Sequence, residues 1–427
     1  MKVIVAHPAQ QHSYRLATAL KNANMLEKYA TTVYNKKGSL TALCAHLLRG
    51  KFRVKAESRH CDNLDDNDVI QFCELEGLIK LVALNTNFLK RHYYQIKYHT
   101  ADCFARKVAR YAIKHHVDAV ITYDDSSPLL FEILEREAPH ILRIMDMSSA
   151  NLLYLKNIYE HDMELAPSFA ERMRRERSIC WDQDILDRAE REIKATQKFL
   201  VPSEFVSRSL AYSGVKSEQL LRCPYGVDIA QFSPKEYKDD LYIKNRAMPY
   251  RQRPLHFIYV GGVKELKGIS YLLEAFREIP VELADLTVVG NYCENDTDTR
   301  PYQGIVKFTG SILHSYVAEE LKKADVFVFA SLGEGLSLST LEAAACGLPL
   351  IVTENSGVND EMTDGVEGFV IPIQSKKAIQ DKVYWFIEHP EMIHRMGEAA
   401  KLFAQKYTWE AYYKKVKEIF ENEICSD

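Results

Sequence analysis

No two of the nine cysteines form a CxxC pair; they are scattered from Cys44 to Cys425. An odd, dispersed set excludes a disulfide framework or a zinc ribbon and reads as reduced thiols in a cytosolic protein. No leader is expected either. "MKVIVAHP" starts directly as a buried strand, without the apolar stretch and small-residue cleavage site of a signal peptide. Nor is there a plain membrane span. The longest apolar region, residues 324–352, carries Glu334, Glu342 and several glycines, and its period changes along its length. That predicts strand, loop, helix and strand in turn. No nucleic-acid recognition motif is found, and the chain as a whole is acidic at −4, so nucleic acid is not an expected partner. The expected location is cytoplasmic.

What is present is a chain of 427 residues, 47% hydrophobic and 27% charged, which is soluble-globular composition and long enough for two domains. Its charge is unevenly spread. Residues 1–116 hold 19 Lys/Arg against 9 Asp/Glu, net +10, which leaves −14 for the remainder. Two basic runs, "LLRGKFRVKAESRH" and "NFLKRHYYQIKYHTADCFARKVARYAIKHH", dominate the first part. They fit two solvated helix faces, or a surface for an anionic bilayer or anionic acceptor, since the Lys/Arg are interleaved with leucines and aromatics. The second case would place the protein peripherally on the inner face of the membrane.

Two segments are built alike. "KVIVAHP" and "LHFIYVGG" are short apolar strands that run into a loop, and each is followed by a helix with one apolar stripe. Leu16 and Leu20 mark the first stripe, and Ile269, Leu272, Leu273, Phe276 and Ile279 the second. A strand, loop and helix begun twice predicts an α/β chain of two Rossmann-like, doubly wound parallel-sheet domains in tandem. Further strands are expected at "DAVITY", "HILRIMD", "KFLVPS", "LTVVG", "IVKFTG", "DVFVFAS" and "LPLIVT". Ser203 is the expected N-cap of the following helix, with Gly214 just past its end. The divisions expected are a first domain over 1–230, a linker over 231–253 and a second domain over 254–408. The amphipathic helix in 409–427 would cap the second domain or cross back to the first.

The stretch "SLGEGLSLSTLEAAACGLPLIV" sets Glu334 in a glycine loop and Glu342 in the helix that follows. The loop leaves the carboxyl end of a parallel strand, where open α/β sheets bind ligands. The amides of Leu336, Ser337, Leu338 and Ser339 would open the helix N-terminus, whose partial positive charge suits a diphosphate. Gly333 and Gly335 would let the backbone approach a ligand. Glu342 can present a carboxylate to vicinal hydroxyls, and Glu334 can face a sugar. The alternative is that acids near a helix start only stabilise the helix.

The same residues resemble the nucleotide-sugar half of the family 4 glycosyltransferases, which are retaining GT-B enzymes. The resemblance is carried by a Glu, seven residues and a second Glu, then an Ala-rich "ACGLP" helix end. "VPSEFVSRSLAYSGVKSEQLLRCPYGVDIAQFSP", "YVGGVKELKGISYLLEAF" and "YTWEAYYKKVKEIF" extend it over roughly residues 195–425 and the first strand and helix. The stretch from about 35 to 115 matches nothing in it. The resemblance implies that Glu334 positions the donor sugar and Glu342 binds ribose. Lys267 in "KELKG" would meet the diphosphate, the Gly261–Gly262 turn would lie beside it, and the chain from Gly310 to Ile312 would meet the base. The donor implied is a nucleoside-diphosphate sugar of UDP or GDP type, with no cofactor and no metal. The family's arginine after the first glycine of "YVGG" is replaced by Gly262, so Lys264 replaces it or Lys267 acts alone. Ser337 stands where a second glycine is common. The family's first-domain histidine falls near Tyr123 and Asp124, and its glycine-rich first loop is replaced by "HPAQQHSYR", from which Gln11, His12 and Ser13 would face the donor.

The chemistry implied is cleavage of a sugar C1–O bond through an oxocarbenium-like state, with charge building on the leaving phosphates. Lys267 and the helix end would stabilise that charge, and one such donor is typically worth ~10²–10³ in rate. "DQD" at 182–184 and "DTD" at 296–298 imitate a metal motif but lie in polar stretches and read as solvated charges. The function expected is transfer of a sugar with retention to a glycan or lipid-linked acceptor, in cell-surface polysaccharide biosynthesis. The alternatives are a glycosyltransferase-like partner subunit without catalysis, a GT-B sugar-nucleotide epimerase, or a phosphorylase.

Overall fold

The computed structural model describes residues 1–9, 12–176, 178–232, 253–292 and 299–424. Seven strands form the first sheet: β1 (Val3–His7), β2 (Leu26–Thr31), β3 (Val69–Gln71), β4 (Ala119–Tyr123), β5 (Leu142–Asp146), β6 (Lys198–Val201) and β7 (Leu220–Arg222). All pair in parallel, in the order β3-β2-β1-β4-β5-β6-β7. Six strands form the second: β8 (Leu255–Val260), β9 (Ala284–Val289), β10 (Val306–Gly310), β11 (Val326–Phe329), β12 (Leu350–Thr353) and β13 (Gly368–Ile371). They too are parallel, ordered β10-β9-β8-β11-β12-β13. Both domains are doubly wound, and the direction in which successive strands are added to the sheet reverses between β1 and β4 and again between β8 and β11. Those two switch points are where such sheets open a ligand crevice.

Burial follows the layers. β1, β4, β11 and β12 are buried along their whole length, because helices cover both faces of a parallel sheet. Leu16 and Leu20 fill the first stripe, and Ile269, Leu272, Leu273 and Phe276 the second. Ser203 caps the Glu204–Ala211 helix by accepting the Val206 N–H at 3.2 Å. The strands β2, β3, β7 and β13 have no counterpart among the expected ones.

The two domains touch through defined polar contacts. The Asp360 carboxylate accepts the Glu204 N–H at 2.6 Å and an Arg222 guanidinium N–H at 2.8 Å. Tyr271 donates to Asp162 at 2.7 Å. The Trp409–Glu418 helix lies on the first helix, Ser13–Asn22, where Arg15 stacks on Trp409 and donates to Tyr413 at 3.1 Å. Most of the expected 231–253 linker lies outside the described residues. Of it, Gln231 and Phe232 end a short helix, and Arg253 pairs with Asp325 at 2.6 Å.

Candidate functional site

The second-domain site grows from two loops at the β8/β11 switch point. From β8 the chain turns through Gly261, Gly262 and Lys264 into a short 3-10 turn, Glu265–Lys267. Gly268 follows in a left-handed conformation (φ 63°), where an added Cβ would sit 1.9 Å from the Ala330 carbonyl oxygen. Only glycine fits, and the close approach locks the Lys267 loop to the end of β11. From β11 the second loop carries Ser331 and Glu334. The Lys267 ammonium is ion-paired with Glu334 Oε1, and the Ser331 hydroxyl donates to the same oxygen at 2.6 Å. The Glu334 N–H is held by the Asn355 carbonyl at 2.9 Å.

The helix then runs Leu338–Ala345, with Ser337 as N-cap accepting the Thr340 N–H and hydroxyl. One expected donor is corrected: the Ser337 amide is bonded to the Ser356 carbonyl at 3.1 Å and does not point outward. The first-turn amides of Leu338 and Ser339 have no carbonyl of the helix to bond. Leu336 is buried. Glu342 lies one turn deeper than the helix start, is 8% exposed, and its carboxylate accepts a hydrogen bond from His314 Nε2 at 2.7 Å. This contact raises the His314 pKa above its ordinary value, first through the hydrogen bond to Glu342 and then through the Glu342 and Asp228 charges, against the opposing effect of burial. Gly310 (φ 74°) ends β10, with Ile312 half-buried just beyond it.

The expected close approach at Gly333 and Gly335 is filled by the protein itself. A Cβ at Gly335 would lie 2.0 Å from the Ser148 carbonyl of the first domain, and one at Gly333 would lie 2.8 Å from Leu155. These glycines bring the Glu334 loop against the first domain. At Gly262 the atoms nearest an added Cβ are Lys264 side-chain carbons at 3.7–3.8 Å, so the lysine stem packs over that turn. The lysine loop is also held from the first domain. Arg172 of the Pro167–Glu176 helix donates to the Val263 carbonyl at 3.3 Å and lies 3.7 Å from the Glu265 carboxylate. Glu176 accepts the Glu265 N–H. Glu265 is fully buried, which pushes its carboxyl up to about 7 despite the Ser270 hydroxyl.

Across the cleft, His12 precedes the first helix and its Nε2 lies 3.2 Å from Asp146 Oδ2. Tyr225 donates to the other Asp146 oxygen at 3.0 Å and its ring lies 4.1 Å from that of His12. Ser13 turns into the first-domain core, where its hydroxyl meets Tyr29 at 2.9 Å, and it does not face the cleft. Tyr123 is likewise buried, with its ring edge on His7 and His12. Gln11 and the 296–298 "DTD" lie outside the described residues. Asp182 of "DQD" caps a helix by accepting the Ile185 N–H at 3.3 Å.

Asp124 accepts the Ser148 N–H and hydroxyl at 2.9 and 2.6 Å and the Ser149 hydroxyl at 2.8 Å. It lines a cavity of about 310 Å³ with Tyr98, Asp125, Ser149, Arg188 and Glu192. Burial raises the Asp124 pKa. It pushes Glu192 well above its ordinary value too, with the Asp125 and Asp124 charges adding to the effect. Ser148 lines the cavity and its carbonyl backs Gly335, the residue after Glu334. Asp146, Glu192, His314 and Ser331 were not among the residues expected from sequence. Each meets its partner across tens of residues or more in the chain, except Ser331, whose serine-to-Glu spacing of three was available but unremarkable.

Two Rossmann-like domains packed in this way define the GT-B architecture. The sucrose-phosphate synthase from Thermosynechococcus elongatus superimposes over 100% of both chains with a TM-score of 0.65 at 18% identity. Anabaena HepE in complex with UDP does so over 99% of this chain and 100% of its own, with a TM-score of 0.63 at 13% identity. Residues 245–403 match the model of the family described as Glycosyl transferases group 1. Among sequence relatives, the alpha-D-kanosaminyltransferase of Streptomyces kanamyceticus is 29% identical over 53% of this chain and 56% of its own. The sulfoquinovosyl transferase of Arabidopsis thaliana is 26% identical over 52% and 44%. The chain spans about half the length of the curated relatives it matches.

Proposed function

We propose that the protein is a glycosyltransferase that moves a sugar from a nucleoside-diphosphate sugar, of UDP or GDP type, to a hydroxyl of a glycan or lipid-linked acceptor. The observation that carries this is the pairing of Lys267 with Glu334 at one switch point, beside a helix N-terminus and with Glu342 on the same helix. In that arrangement the leaving diphosphate would meet the Lys267 ammonium and the Leu338 and Ser339 amides. Positive charge and preorganised donors at the departing oxygen are what such a reaction needs, and they fill the role that a divalent cation fills elsewhere. Glu342 would exchange His314 for the ribose hydroxyls. Glu334 would hold the sugar hydroxyls and stabilise the oxocarbenium-like state. The acceptor would enter the Asp124–Glu192 cavity, whose carboxyls and serines can bond several hydroxyls at once.

Retention follows if the acceptor attacks from the side the phosphate leaves, with the phosphate taking its proton. A product of cell-surface polysaccharide synthesis agrees with that class of acceptor. The test is turnover of the purified chain with UDP- and GDP-sugars, read by release of nucleotide and by the anomeric proton of the product. Glu334→Gln is expected to lower kcat by about 10²–10³ with nucleotide affinity retained. Near-wild-type turnover in that variant would remove Glu334 from the reaction. No turnover by the wild-type chain with any donor, alongside intact nucleotide binding, would favour a partner-subunit role.

A further inference from the structure

We infer that the protein docks on an anionic lipid bilayer through the outer face of the helices between residues 40 and 94. Of the 22 large hydrophobic side chains exposed among the described residues, 11 lie in this stretch, from Leu40 to Tyr94. They form stripes. Leu40, Leu43 and Leu47 fall on one side of the Leu40–Leu47 helix, with Leu47 78% exposed. Leu75, Ile79 and Val82 do the same on the Glu74–Asn85 helix, whose Gly77, Lys80 and Ala83 face inward. The two helices are neighbours: the Thr41 N–H and hydroxyl donate to Glu74 at 2.7 and 2.6 Å. A surface helix ordinarily turns its apolar stripe to the core, so two stripes turned outward need another apolar phase.

Charge decides which. Residues 40–56 hold four Lys/Arg and no Asp/Glu, and beyond the second stripe, whose helix opens on Glu74 and Glu76, Lys90 and Arg91 follow. Arg49, Lys55 and Arg91 stand exposed beside the leucines. Apolar side chains ringed by cations are the composition that lies in a bilayer interface, with cations at the headgroups. A second copy on the same face would set this charge against itself, since the patch of a two-fold dimer is self-facing. Helices of 8 and 12 residues lie on a bilayer and do not cross it, and no helix among the described residues is long and apolar enough to span one. The face also leads to the cleft. Tyr94 stacks on Tyr98 with ring centroids 6.4 Å apart, and Tyr98 lines the Asp124 cavity. A lipid-linked acceptor would thus reach that cavity from the bilayer; this last step rests on the transferase proposal, whereas docking does not.

The experiment is co-sedimentation of the full chain with phosphatidylcholine vesicles, with and without phosphatidylglycerol. Binding is expected with phosphatidylglycerol only, weakening as salt rises. Leu43→Glu with Leu47→Glu, and separately Arg49→Glu with Lys55→Glu, should each weaken it about tenfold or more with an unchanged melting temperature. Absent binding, or equal binding to both vesicles, overturns the proposal. So does a dimer in light scattering that Leu43→Glu with Leu47→Glu dissolves, which would show a second copy on this face. Nucleotide binding in the same variants separates the outcomes: docking lost with nucleotide binding kept concerns this face alone.

Discussion

Glu342 holds a protein partner where the ribose is proposed to bind, and that makes the site sensitive to pH. The His314 pKa is raised by Glu342, with Asp228 adding its charge and Gln231 and the Phe232 ring completing the contacts. The protonated pair therefore stabilises the unliganded fold below His314's unfolded value, and that contribution is lost as pH rises through the raised folded value. Ribose must displace His314, so nucleotide binding should release protons and tighten as pH rises above about 6.5. Calorimetry in buffers of different ionisation enthalpy reads this directly, and His314→Ala should abolish the proton release. At Asp124 the expected effect is on the other substrate. Asp124→Asn weakens charge-assisted bonds worth about 1.5–3 kcal/mol, so kcat/KM for acceptor should drop roughly 10–100-fold while nucleotide binding holds. A matching loss of nucleotide affinity would place Asp124 on the donor side.

At the scale of the element, the site depends on one loop docking on another. Gly268→Ala adds a Cβ 1.9 Å from a carbonyl oxygen at a left-handed position, so the melting temperature should fall by several degrees and Lys267 should lose its place. A melting temperature equal to wild type would mean the two loops are not locked there. Glu265, beneath Lys267, has a folded pKa of about 7 against an ordinary 4.5. The native state then binds more protons than the unfolded one between those values, so stability should fall as pH rises through that window, on the order of 3 kcal/mol. Glu265→Gln should flatten that slope in melting curves between pH 5 and 8. The strand–loop–helix unit of Glu334 and Glu342 was legible because it is local: strand, glycine turn and N-cap are contiguous in the chain. The β2, β3, β7 and β13 strands were not, since three of them are sheet edges of three or four residues and β2 mixes polar with apolar positions. Lys267 could be placed only by resemblance. The pairs His12–Asp146, His314–Glu342 and Gly335–Ser148 join distant segments, and a single sequence carries no signal for which distant residues meet.

On the scale of the molecule, the two switch points face each other because first-domain residues hold second-domain loops. Ser148 backs Gly335, Arg172 holds the lysine loop, and Asp360 ties β7 and the Glu204 helix to the second domain. The +10 of residues 1–116 and the −14 of the remainder take on meaning here. Part of the positive charge borders the outward apolar helices, while the proposed donor site lies in the acidic remainder, where Lys267 and a helix end supply local positive charge. The central claim is that this second-domain site binds the nucleotide of a sugar donor. The most direct test is the thermal shift of the purified chain with UDP, GDP, ADP and CMP, each with and without magnesium, beside Glu342→Ala. The expected result is a rise in melting temperature with one nucleoside diphosphate, independent of magnesium and lost in Glu342→Ala. No shift with any of the four, or a shift that Glu342→Ala keeps in full, would contradict it.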